Sequence, residues 1–67
     1  MSMLKVIEVL AESDKSWEDA AQAAVANAAE TLHGVRSIYL KDMEAVVSEG
    51  KITKYRINAK ISFLLDG

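Results

Sequence analysis

From Ile52 to Leu65 apolar and polar residues alternate. Thr53, Tyr55, Ile57, Ala59, Ile61, Phe63 and Leu65 hold one parity, and Lys54, Arg56, Asn58, Lys60 and Ser62 the other. Successive side chains of a strand point to opposite faces, so the pattern predicts one long strand with an apolar and a polar face. At about 3.3 Å per residue it reaches roughly 45 Å; an ordinary strand has about 5–6 residues. Val35 to Val47 predicts a second extended stretch. Ile38 and Leu40 share one parity there, whereas Met43, Ala45 and Val47 share the other. That change of phase near Lys41-Asp42 predicts a bulge, which re-aims side chains. Between the two stretches, Ser48-Glu49-Gly50-Lys51 is a hairpin turn. With Glu49 and Gly50 as its loop, Ser48 faces Lys51, Ser37 faces Ser62 and Arg56 faces Met43.

Met3 to Ala11 is rich in Val, Ile and Leu and bounded by Glu12-Ser13-Asp14, which predicts a first strand. Ser16-Trp17-Glu18-Asp19 then opens a helix. Ser16 caps the free N–H groups, and Glu18 and Asp19 suit the positive end of the dipole. Asp19 also stands where the acid of a capping box belongs. The segment that follows is dense in alanine, the best helix former. Trp17, Ala21, Ala24, Ala28 and Leu32 form one stripe at helical spacing, and its small residues let the helix lie close to a sheet. Gly34 is the expected stop. The order β-α-β-β gives an α+β fold, a three-stranded antiparallel sheet with one helix on one face. The other face keeps Lys54, Arg56, Asn58 and Lys60. A helix of about 16 residues covers only roughly 24 Å, so the hairpin overhangs it.

Sixty-seven residues make one expected domain, residues 1–67. So short a chain buries only about 60% of its unfolded surface and is usually supported by a disulfide, a metal or partner chains. With no cysteine and one histidine, disulfides, thiolate sites and histidine-cluster sites fall away, and self-association is the expected support. A net charge of −2 and a pI near 5.2 argue against nucleic acid as a partner. No apolar run approaches the ~20 residues that span a bilayer. Lys5 and Glu8 interrupt the apolar N-terminal stretch, unlike a signal peptide. The expected location is the cytoplasm, with no membrane partner.

Candidate chemistry is sparse. No nucleophile–base pair, glycine-rich phosphate loop or metal-ligand spacing is present, so no catalytic residue is assigned and an enzyme is not expected. His33 suits the negative end of the helix, and Trp17 suits packing. The row Lys54, Arg56 and Lys60 is either a solvated face or an anion site. Asp42 and Glu44 share a strand face and carry hard oxygen ligands of the kind calcium and magnesium take. The competing reading is a pair of surface acids.

The whole chain resembles the dodecin family. The resemblance is carried by Lys5-Val6-Ile7-Glu8-Val9, by Ser16-Trp17-Glu18-Asp19-Ala20 opening an alanine-rich helix that ends in Thr31-Leu32, and by Gly50-Lys51-Ile52 turning into Tyr55-Arg56-Ile57 and Ser62-Phe63. The resemblance implies a hollow homododecamer that binds flavin (FMN or riboflavin) between subunits and stores or sequesters it. It also marks where this chain departs. The family's stacking tryptophan follows an Arg at the start of the second strand; here Arg36 is followed by Ser37. The family's flavin-bonding glutamine matches Arg56, and its Arg-Gly matches Glu44-Ala45. The ligand-site equivalents are therefore Arg36, Ser37, Glu44 and Arg56, and weak or lost flavin binding is expected. Some dodecins hold calcium instead. Two functions follow: a small-ligand storage protein with an altered flavin site, or a flavin-free shell that binds calcium at Asp42 and Glu44 and acts as a structure or an ion buffer.

Overall fold

A computed structural model describes residues 2–65. Its elements are β1 (Leu4–Ser13), α1 (Trp17–Thr31), β2 (Val35–Ser48) and β3 (Lys51–Leu64). The sheet is antiparallel in the order β1-β3-β2, so the most regularly alternating strand is its centre. The apolar parity of β3 lies under the helix. Ile57, Ala59 and Ile61 are fully buried there, as is Ala20 of α1, with Val9, Ala11, Trp17, Ala21 and Ile38 packed around this cluster. Ala20 stands three residues after Trp17, on the same helix face, and belongs to the buried stripe that the sequence reading drew without it.

The helix opens on Ser16, whose Oγ accepts from the Asp19 amide at 2.9 Å. The Asp19 carboxylate does not close a capping box. Its Oδ2 accepts instead from Ser13 Oγ at 2.7 Å, and Ser13 Oγ accepts in turn from the amides of Lys15 and Ser16. Ser13 is buried, and this bonding carries β1 through Glu12 and Ser13, which the sequence marked as the strand's boundary.

At the other end the helix stops before the expected glycine. Thr31 is its last residue, and Leu32 is already extended, its amide donating to Ala28 O at 2.9 Å. Gly34 serves the next turn. Its φ of +67° is left-handed, and its carbonyl accepts from the Leu64 amide at 2.9 Å. A Cβ there would stand 2.9 Å from Leu64 Cβ.

The hairpin loop is Glu49-Gly50, with φ of 52° and 78°. Positive φ at both positions matches the twist of the flanking strands. Ser48 pairs with Lys51, and Ser37 with Ser62, as expected. Arg56, however, pairs with Glu44 and not with Met43. Two register shifts explain both results. Between Val47↔Ile52 and Val46↔Lys54 the strand β3 gains Thr53, whose Oγ1 donates to Val46 O; between Asp42↔Asn58 and Leu40↔Ala59 the strand β2 gains Lys41. One residue is added on each side, so the register is displaced between the bulges and restored beyond them. The second is the bulge predicted near Lys41-Asp42; the first has no change of parity to announce it.

The Cα trace extends 51 Å along its long axis, whereas a helix of 15 residues spans about 22 Å. The hairpin tip is accordingly bare: Val47 and Ile52 are each more than half exposed.

Candidate functional site

The face of the sheet away from the helix carries the chemistry. Cross-strand partners share a face, so the register sets its rows. Glu12, Arg56 and Glu44 form one row across β1, β3 and β2; Leu10, Asn58 and Asp42 form the next; Glu8, Lys60 and Tyr39 follow, then Val6, Ser62 and Ser37. Acids of the outer strands thus flank bases of the central one.

Arg56 sits between two carboxylates. Its Nε donates to Glu12 Oε1 at 2.9 Å, its Nη2 lies 2.7 Å from the same oxygen, and its Nη1 donates to Glu44 Oε1 at 3.2 Å. Lys54 Nζ adds a contact of 3.6 Å to Glu12 Oε2. The hydrogen bond from Arg56 holds the Glu12 carboxyl below its ordinary value, with the nearby charges of Arg56 and Lys54 acting in the same direction. Hydrogen bonds to Glu12, then Glu44, raise the Arg56 guanidinium in turn. Lys41 Nζ lies 3.7 Å from Glu8. The row Lys54, Arg56 and Lys60 is therefore interleaved with acids and is not a bare cationic strip.

One row further along, Leu10, Asp42, Met43, Glu44 and Asn58 line a recess of about 370 Å³. Asn58 is among these lining residues, and its Oδ1 is buried with no hydrogen-bond partner among the described residues. Burying an amide oxygen without a partner costs on the order of 1–3 kcal/mol, so an unsatisfied acceptor beside two carboxylates points to a missing donor or cation. Trp17 fixes the backbone at this point. Its indole N–H donates to Glu44 O at 2.9 Å, and its ring meets Tyr55 edge-on, with centroids 4.9 Å apart. Trp17 is a packing residue that also pins the strand carrying Glu44.

Asp42, Glu44 and Arg56 come together. Arg36 and Ser37 do not join them in one chain. Ser37 is hydrogen-bonded to Ser62, roughly 20 Å further along β3 from Arg56 at about 3.3 Å per residue. Arg36 is the extra residue of a third register shift at the start of β2. Glu12 and Asn58 were missed as site residues. Glu12 lay beyond the expected end of β1, and pairing Asn58 with Asp42 requires the Thr53 bulge.

The comparisons with known proteins bear on this arrangement. The Dodecin family model matches residues 3–66. The chain belongs to the dodecin family. It is 45% identical over 65 residues to the calcium dodecin of Mycobacterium tuberculosis, covering 94% of this chain and 89% of that protein. A crystal structure of that calcium-chelating dodecin, with a novel calcium-binding site, superposes with a TM-score of 0.82 at 35% identity over 97% of this chain and 93% of that one. A point mutant of Thermus thermophilus dodecin superposes with a TM-score of 0.93 at 25% identity over the full length of both chains. The β-α-β-β fold with its three-stranded antiparallel sheet is that of the dodecin structures.

A calcium ion takes 6–8 oxygen ligands at about 2.3–2.6 Å. One chain offers the Asp42 and Glu44 carboxylates at the recess, hard donors suited to calcium, with the buried and unpartnered Asn58 oxygen on the neighbouring strand. Among the described residues no three acidic, histidine or cysteine side chains cluster closely enough to hold a metal. The donor set fits part of a calcium shell, with the remaining ligands left to water or to another copy of the chain.

Proposed function

We propose that the protein is a non-catalytic dodecin subunit that assembles into a homododecameric shell in the cytoplasm and binds calcium, with flavin binding weak or lost. The observation that carries this reading is Asn58 Oδ1, buried without a partner beside Asp42 and Glu44. The 45% identity to a calcium dodecin supports the same ion. The altered flavin positions support the loss: Ser37 is bonded to Ser62, and Arg56 is held by Glu12 and Glu44. An aromatic stack is worth about 0.5–1.5 kcal/mol per contact beyond its area, and a symmetric shell loses it at every copy. Self-association is supported by the exposed Val47 and Ile52 at the hairpin tip, by the exposed Met43 further along β2, and by an apolar groove of about 470 Å³ between β1 and α1 that includes Ile7, Val9, Ala24 and Leu32.

The test is equilibrium dialysis of purified protein against calcium, with Asp42→Asn alongside. The reading expects saturable binding in the wild type at a fixed ratio of ions to chains, and clearly weaker binding in Asp42→Asn. Equal binding by both proteins removes the site from Asp42.

A further inference from the structure

We propose that Glu12 sets the strength of the calcium site by engaging most of the Arg56 guanidinium and so limiting its hold on Glu44 to a single, longer contact. The inference rests on the calcium reading above and concerns its regulation. Arg56 is a cation built into the same row as Glu44, so it competes for that carboxylate with any bound ion. The geometry decides the contest in favour of release. Two nitrogens of Arg56, at 2.7 and 2.9 Å, engage Glu12 Oε1, whereas a single nitrogen reaches Glu44 at 3.2 Å. The Glu44 side chain is also the more exposed of the two acids, 61% against 39%. A bound cation at Glu44 therefore displaces the longer, single contact, and the guanidinium stays where it is, on Glu12.

Without Glu12 the balance reverses. Arg56 retains one acidic partner in its row, Glu44. Its guanidinium then turns fully to Glu44, tightening what is now one contact of 3.2 Å, and moves its positive charge closer to the recess that Glu44 lines with Asp42 and Asn58. Both changes oppose a divalent cation. Glu12 is a positioning residue in this scheme: it touches no calcium and acts only through Arg56.

The experiment is calorimetric titration of the assembled protein with calcium chloride, comparing wild type, Glu12→Gln, Arg56→Gln and the double variant. Exposed ion pairs of this kind shift an equilibrium about two- to fivefold. Glu12→Gln is expected to weaken calcium by about that factor, and Arg56→Gln to tighten it by a similar one. The double variant is expected to match Arg56→Gln alone, and Glu12→Asp to recover part of the wild-type affinity. A purely structural or long-range charge effect of Glu12 weakens calcium equally with and without Arg56, and that result overturns the proposal. Unchanged affinity in Glu12→Gln overturns it as well while leaving the calcium site standing. A wild type that takes up no calcium overturns both.

Discussion

Replacing Gly34 by alanine tests the joint between helix and sheet. Two costs add. The φ of +67° is left-handed, which costs an L-residue about 1–2 kcal/mol. The new methyl also stands 2.9 Å from Leu64 Cβ, closer than carbon atoms pack. Leu64 cannot retreat freely, because its amide is bonded to Gly34 O at 2.9 Å. Relieving such overpacking costs on the order of 1 kcal/mol. Against this, alanine restricts the unfolded chain and returns about 0.4–1 kcal/mol. The net loss is about 2 kcal/mol, a drop of roughly 8–16 °C in Tm for a domain of this size. Gly50 supplies the control. Its φ is +78°, and a methyl added there would meet nothing within 4 Å, so Gly50→Ala carries the strain without the clash. Thermal melts of both variants and wild type at one protein concentration measure the difference. Gly34→Ala is expected to melt several degrees below Gly50→Ala. A Gly34→Ala melting at or above Gly50→Ala refutes the close approach to Leu64.

Further expectations concern the core, the charged row, the flavin positions and assembly. Ile57 is fully buried against Ala20 and Ala59, so Ile57→Ala is expected to cost about 2–5 kcal/mol in urea unfolding; a loss well below 1 kcal/mol contradicts the packing. The folded value of Glu12 lies below its ordinary 4.5 because Arg56 bonds it. Its contribution is then present above the ordinary value and lost as pH falls through the lowered one. The melting difference between wild type and Glu12→Gln should be steady near neutrality and vanish in strong acid, and a difference that grows on acidification rules the ion pair out. Riboflavin and FMN titrations followed by flavin fluorescence should show weak or no quenching, with Ser37→Trp plus Arg56→Gln raising affinity; strong sub-micromolar quenching by wild type contradicts the altered site. Sedimentation velocity should show an oligomer, and a folded monomer near 7.3 kDa at micromolar concentration excludes the shell.

The period-two pattern of β3 made the sheet legible, because the middle of the central strand buries Ile57, Ala59 and Ile61 on one parity and leaves Lys54 and Lys60 exposed on the other. Ser16 and the alanine-rich run made the start of the helix legible for a similar reason, since capping and propensity act locally. Its end was legible as Thr31-Leu32 through the family resemblance but not through Gly34, which answers to Leu64, a contact thirty residues away in the chain that no local pattern announces. The site was legible in part. Asp42 and Glu44 are two residues apart, and their shared face follows from strand geometry alone. Their partners depend on register. A bulge at Thr53 moves Arg56 from Met43 to Glu44 and Asn58 to Asp42, and a bulged threonine leaves no break in the alternation. Glu12 was hidden because the buried Ser13 extends β1 past an acidic stretch that reads as a boundary.

The central claim is that Glu44 belongs to a calcium site, and the melting temperature in the presence of calcium tests it most directly. A ligand that binds only the folded protein stabilises it by about 2.7 kcal/mol at a hundredfold excess over its Kd, and the increment grows with concentration. Wild type and Glu44→Gln are melted side by side, metal-free and in millimolar calcium. The account predicts a concentration-dependent rise in wild type that is much smaller in Glu44→Gln. Equal shifts in the two proteins, or none in either, contradict it and leave Glu44 as the ordinary ion-pair partner of Arg56.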